Sequence, residues 1–187
     1  MMYLLPGILG FVAFCLFDVN KIRWRSKVLN VFFALGAALV LLSTLLCIPD
    51  VSLRDLLSEP KGCLALTGLL LSGLGLVYVL FFALPFESTY TESDALPLVD
   101  RGAYALCRHP GFWMFGLFYF FLWQFFTGSR LFAGFVLYTA CNFLYVCVQD
   151  RYIFPRYIGG YDDYKRSVPF LIPTRESVKK AFPAKRP

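Results

Sequence analysis

Histidine and charge are both scarce in this chain. One of its 187 residues is histidine, and Asp, Glu, Lys and Arg together make up 16%. A single imidazole excludes a metal site built on paired histidines. The cysteines, at 15, 47, 63, 107, 141 and 147, form no Cys-x-x-Cys pair and have no histidine at ligand spacing, so no metal is expected. They read as small apolar packers in helices. Cys47 and Cys63 could also meet outside a membrane as a disulfide. There is no internal repeat and no low-complexity run. The first apolar run has neither a basic leader nor an Ala-x-Ala site, which argues against a cleaved signal peptide.

What is abundant is apolar surface. Hydrophobic residues are 58% of the chain, and mean hydropathy is +0.63. A soluble domain of this size shows more charge. The expected fold class is an all-α integral membrane protein, one domain over 1–187. Residues 1–86 would form three spans, 87–173 a second part, and 174–187 a basic tail. Five apolar segments stand out: 3–17, 28–48, 63–86, 110–126 and 131–150. The first is short, because about 20 residues are needed to cross the hydrocarbon.

The basic residues orient these segments. Lys21, Arg23, Arg25, Lys27, Arg101, Arg108 and the nine lysines and arginines from Arg151 onward fall on one side; only Arg54, Lys61 and Arg130 fall on the other. By the positive-inside rule the N-terminus lies outside and the C-terminus in the cytoplasm, in a bacterial inner membrane or the endoplasmic reticulum. The net charge of +6 does not indicate nucleic acid, because the basic residues flank apolar segments and form no separate basic domain. Small residues (Ala34 and Ala38, Gly68 and Ser72, Gly111, Gly116) mark close helix packing.

The most informative stretch is Leu98-Val99-Asp100-Arg101-Gly102-Ala103-Tyr104-Ala105-Leu106-Cys107-Arg108-His109-Pro110-Gly111-Phe112-Trp113. Proline suits the first turn of a helix, where its missing N–H costs nothing. Arg108 and His109 therefore sit at a helix N-terminus, which favours an anion. The segments 110–126 and 131–150 form a hairpin turned at Thr127-Gly128-Ser129. Helices of about 27 and 30 Å, at ~1.5 Å per residue, begin and end at similar depths. Arg108 and His109 thus return to the level of Gln149, Asp150 and Arg151, and a polar pocket is expected there. Snorkelling of the arginines to lipid phosphates, and an Arg–Asp ion pair of little consequence, remain alternative readings. The connection from Glu87 to Cys107 is long for a simple loop. The tail from Arg156 to Pro173 is too apolar for free solvation and is expected to fold over the pocket as a lid.

Leu98-Val99, Gly102-x-Tyr104 and Arg108-His109-Pro110 resemble the signature of membrane methyltransferases related to isoprenylcysteine carboxyl methyltransferase and the phospholipid methyltransferases. Gln149-Asp150 stands where that family has paired glutamates. Gly159-Gly160-Tyr161-x-x-Tyr164-Lys165-x-x-Val168-Pro169 and Ile172-Pro173 are similar to its C-terminal pattern. The resemblance covers about 96–173 and none of the first three segments. It implies S-adenosylmethionine as cofactor, held by Leu98, Val99, Tyr104, His109, Pro110, the position of Phe112, and Gln149 or Asp150. It also implies a catalytic region at Arg108 and His109. Arg108 would suit the cofactor carboxylate, and Asp150 its ammonium or ribose. Methyl transfer rests on positioning and exclusion of water.

Three positions depart from the pattern. Phe112 replaces a tyrosine, Gln149-Asp150 replaces two glutamates, and Tyr145-Val146 occupies the region of an arginine linked to prenyl-cysteine substrates. The expected acceptor is a lipophilic or lipid-attached molecule that enters from among the membrane lipids. It would pass an aromatic wall of Phe112, Trp113, Phe115, Phe118, Tyr119, Phe120 and Tyr145. No cysteine, lysine or serine is placed for a covalent intermediate. Two other classes stay open: an NADPH-dependent reductase of the sterol-reductase type, which shares the Arg-His-Pro turn, and a non-enzymatic relative.

Overall fold

A computed structural model of the chain describes residues 2–84 and 98–182. Its secondary structure is helical. Helix α1 (Leu5–Arg23) leads to α2 (Val31–Cys47), a short α3 (Leu53–Leu57) and α4 (Pro60–Val77). Then come α5 (Ala103–Leu106), α6 (Pro110–Phe126), α7 (Ser129–Val148), and the short α8 (Phe154–Tyr157), α9 (Tyr161–Ser167) and α10 (Arg175–Ala181). Four helical stretches are long and apolar enough to cross a membrane: Met2–Arg23, Val28–Cys47, Pro60–Phe82 and Ser129–Tyr157. They are the mark of an integral membrane protein. Helix α6 begins and ends at the expected residues and, at 17 residues, is shorter than any of these four stretches.

The outward faces of α2 and α4 are leucine. Leu41, Leu45, Leu64, Leu71 and Leu74 are all more than half exposed, as lipid-facing side chains are. The inward faces are tied by small residues and hydroxyls. Helices α1 and α2 cross backbone to backbone at Gly10 and Gly36: a Cβ on either would lie 2.8 Å from the other's carbonyl oxygen. On α4, Gly68 receives the Phe121 ring and Gly75 the Met114 sulfur, both from α6. Of the small residues read from the sequence as packing points, Gly68 is thus a crossing point; Gly10 and Gly36, where two backbones meet, lie outside that set. Fully buried Tyr138 shares a hydrogen bond with Ser43. The Thr44 and Tyr119 hydroxyls are 2.5 Å apart. Such pairs satisfy polar groups that lipid cannot.

Three expectations change in detail. The first helix does not stop near Phe17; it continues to Arg23 and carries Asp18, Asn20 and Lys21 as buried residues. The last long helix runs past Asp150 through a π-helical turn, Gln149–Ile153, into α8. Cys47 and Cys63 are both free thiols, one buried and one exposed, rather than a disulfide. Much of the loop beginning at Glu87 lies outside the described residues, as do Lys185 and Arg186.

Candidate functional site

Helix α6 starts because Pro110 fixes the first turn, with His109 as its N-cap at φ −126°. Helix α7 returns to the same end of the bundle after a tight hairpin, in which Thr127 and Gly128 both take positive φ. The hairpin brings His109 next to the π turn that carries Asp150, as the matched helix lengths imply. A π turn adds one residue to the helical repeat and so re-aims the side chains that follow; such turns are frequent at functional sites.

Arg108 and Asp150 meet as a two-pronged pair, Nε to Oδ1 at 2.7 Å and Nη2 to Oδ2 at 3.1 Å. Arg108 Nη1 also donates to the carbonyls of Lys165 (3.1 Å) and Val168 (2.6 Å). Tyr161 Oη donates to Asp150 Oδ1 at 2.8 Å, and Lys165 Nζ to the Asp150 carbonyl at 3.2 Å. Burial, and then the Asp150 carboxylate, raise the Tyr161 pKa, so its phenol remains a donor.

The tail is fastened at further points. Arg108 N–H donates to Pro169 O at 2.9 Å. Tyr164 Oη donates to Tyr104 O at 2.6 Å, and Trp113 Nε1 to Leu171 O at 2.8 Å. Gly160 adopts φ +76°, a left-handed turn that reverses the chain into α9. The tail therefore folds over the N-terminus of α6.

His109 is enclosed between two rings of this tail region. It stacks on Phe154, with centroids 5.6 Å apart, and meets the edge of Phe170 at 5.3 Å. Its Nε2 stands 3.5 Å from Asp150 Oδ1. Among the described residues that nitrogen is buried without a hydrogen-bond partner. Burial lowers the His109 pKa, against the pull of the Asp150 carboxylate, so the ring is neutral near pH 7.

Beneath the tail lies a cavity of about 450 Å³. Leu98, Val99, Tyr104, Arg108, His109, Pro110, Phe112 and Gln149 all border it. Asp150 does not; its oxygens serve Arg108 and Tyr161 behind the wall. Of the expected aromatic wall, Phe112, Phe115, Phe118, Tyr119 and Tyr145 border the cavity. Trp113 instead bonds the tail, and Phe120 packs among Phe121, Trp123 and Phe135.

Sequence reasoning missed the contribution of α1. Phe14, Asp18 and Lys21 also border the cavity. Asp18 Oδ2 accepts from Gln149 Nε2 at 2.9 Å. The signal was an acidic and a basic residue three apart on an apolar helix, and intramembrane charges mark function by default. Ending the first segment at Phe17 hid it. Asn20 differs: it is fully buried, and its side chain bonds Ser26 and Asn30 to build the turn into α2.

The donors at the cavity are oxygen and nitrogen groups spread over several helices. Among the described residues no group of three His, Cys, Asp or Glu side chains could hold a metal ion. Comparison with known proteins yields no match: no family model, no curated protein and no solved structure is similar to this chain.

Proposed function

We propose that this chain is an S-adenosylmethionine-dependent methyltransferase that modifies a lipophilic acceptor at the cytosolic edge of a membrane. The observation that carries the reading is the cavity of about 450 Å³, which Leu98, Val99, Tyr104, residues 108–112 and Gln149 border together with the tail tyrosines 161 and 164. The two sequence blocks that carry the family resemblance enclose one space. That space is apolar over most of its wall and polar where the blocks meet. The unpartnered Nε2 of His109 fits a ligand that brings a polar group of its own.

The cofactor, when bound, supplies a methyl group already activated on a sulfonium. The protein's work is then to bind, orient and exclude water. Leu98, Val99, Tyr104, Pro110 and Phe112 form the bed for the nucleoside. His109 borders the cavity, and its neutral ring can accept a hydrogen bond or take the proton that an acceptor nucleophile releases. Arg108 acts as a positioning residue: it holds Asp150 and the tail backbone, and through them closes the lid. The acceptor reaches the site from the membrane side, past Phe115 and Phe118, and the methyl group passes to it directly.

In this reading α6 is a fifth span, the N-terminus lies outside, and the tail lies in the cytoplasm. The test is titration of purified protein with S-adenosylmethionine and, separately, with NADPH. Saturable binding of the first and not the second is expected. The reverse result would replace this reading with that of a reductase, and binding of neither would leave a non-enzymatic relative.

A further inference from the structure

Asn142 is a buried polar residue that the proposed reaction has not used. It lies on α7 within the apolar stretch Ser129–Tyr157, is 9% exposed, and borders the cavity. In a regular helix the main chain is enclosed in its own hydrogen bonds, so what Asn142 shows the cavity is its carboxamide. That group has no hydrogen bond to any described residue. Other buried polar side chains do: Asn20 bonds Ser26 and Asn30, Ser43 bonds Tyr138, Thr44 bonds Tyr119, and Ser72 bonds Gly68. A carboxamide in a membrane helix commonly ties one helix to another. Here it ties none. Left unpaired it costs stability, and a polar group kept inside a membrane at such a cost marks function.

Its position limits what it can meet. Asn142 lies seven residues before Gln149, two turns or about 10 Å along the helix at ~1.5 Å per residue. The cavity wall also includes Phe11, Val40, Phe115 and Phe118, and its Thr44 and Tyr119 hydroxyls satisfy each other. A molecule that fills this part of the cavity must be apolar over most of its surface. A carboxamide offers an acceptor oxygen and a donor nitrogen. A neutral hydroxyl can serve both, a carbonyl only the nitrogen, and an ion gains too little from an uncharged side chain to offset its burial.

We infer that Asn142 recognises the lipophilic acceptor, that this acceptor is a lipid bearing a neutral hydroxyl, and that the hydroxyl exchanges hydrogen bonds with the Asn142 carboxamide. The role as methyl acceptor rests on the methyltransferase reading; the lipid site does not. Asn142 moves no proton in the reaction. It fixes how deep the lipid sits, and so which of its groups reaches the end of the cavity that bears His109 and Gln149.

The probes para-octylphenol and octylbenzene differ by one hydroxyl. Each is titrated, without nucleoside, into the purified protein in detergent, and binding is read from the rise in unfolding temperature. The wild type should bind the phenol more tightly than the hydrocarbon by roughly three- to tenfold. Asn142→Leu should bind the two equally while keeping wild-type affinity for octylbenzene. A wild type without preference overturns the site, and so does a preference that survives in Asn142→Leu. Equal loss of both probes in Asn142→Leu and in Asn142→Ala also overturns it, because Asn142 would then only shape the cavity. Should Asn142→Leu fail to fold, Asn142→Ala decides by the same preference. Recognition of the phenol without binding of S-adenosylmethionine would keep the lipid site and remove the methyltransferase reading; binding of S-adenosylmethionine without preference between the probes would do the reverse.

Discussion

Arg108 and Asp150, 42 residues apart in sequence, face each other through two hydrogen bonds and share that pair with the tail. Their side chains are only 10% and 8% exposed. Removing one member of such a pair leaves the other buried and uncompensated, which typically costs about 3–5 kcal/mol. Asp150→Ala should therefore lower the thermal unfolding temperature in detergent and open the tail to protease. Arg108→Lys keeps the charge but loses the fork, and should fall between Asp150→Ala and wild type. Stability equal to wild type in Asp150→Ala would mean that the pair does not hold the tail.

His109 is the only histidine, so its titration can be followed without overlap. Burial lowers its pKa and the Asp150 carboxylate partly restores it. Nitrogen-15 NMR should show a midpoint below the ordinary imidazole range. Asp150→Asn removes the raising influence and should push the midpoint lower still. For the fold the sign follows. A depressed imidazole pKa favours folding where the ring is neutral in both states. That contribution is lost as the pH falls from the ordinary imidazole pKa through the depressed one. A midpoint above neutrality would contradict the enclosure of the ring.

The tail is the roof of the cavity, so its removal should be decisive. A chain ending at residue 154 lacks Tyr161, Tyr164 and Phe170. It should retain its long helices by circular dichroism yet lose nucleoside binding. Full affinity in that truncation would show that the cavity closes without the tail.

Gly10 and Gly36 set how closely α1 approaches α2, and through α1 where Asp18 sits. Gly10→Ala would bring a methyl group to 2.8 Å from a carbonyl that cannot move independently of its helix. Overpacking of this kind costs about 1–3 kcal/mol. Melting temperature should fall, whereas Gly73→Ala on α4, whose added carbon would sit 3.5 Å from the Phe118 ring, should have little effect.

The proposed orientation is open to labelling. A cysteine introduced beside Lys179 in a cysteine-free background should resist a membrane-impermeant reagent in intact cells and react after permeabilisation. Reaction in intact cells would invert the topology.

Composition and apolar runs were enough to determine that the chain is helical and membrane-embedded. Charge is too scarce for a solvated surface, and the Arg-His-Pro turn marks the start of α6 by the covalent geometry of proline. The return of Gln149 and Asp150 to the level of His109 also followed from sequence, because the two hairpin helices have similar lengths and a fixed rise per residue. Which of the two faces the cavity did not. That choice is made by the π turn and by Arg108, which draw Asp150 toward Tyr161 and leave Gln149 turned to α1; the difference is one of rotation about a helix axis, to which a linear spacing argument is blind. Likewise the sequence shows Asp18 and Lys21 only as charges near the end of an apolar run, indistinguishable from topology signals. Asp18 is drawn inside by its bond to Gln149 at the end of α7, an interaction between segments far apart in the chain. Tertiary packing, not local propensity, turns those two residues from flanking charges into part of the cavity wall.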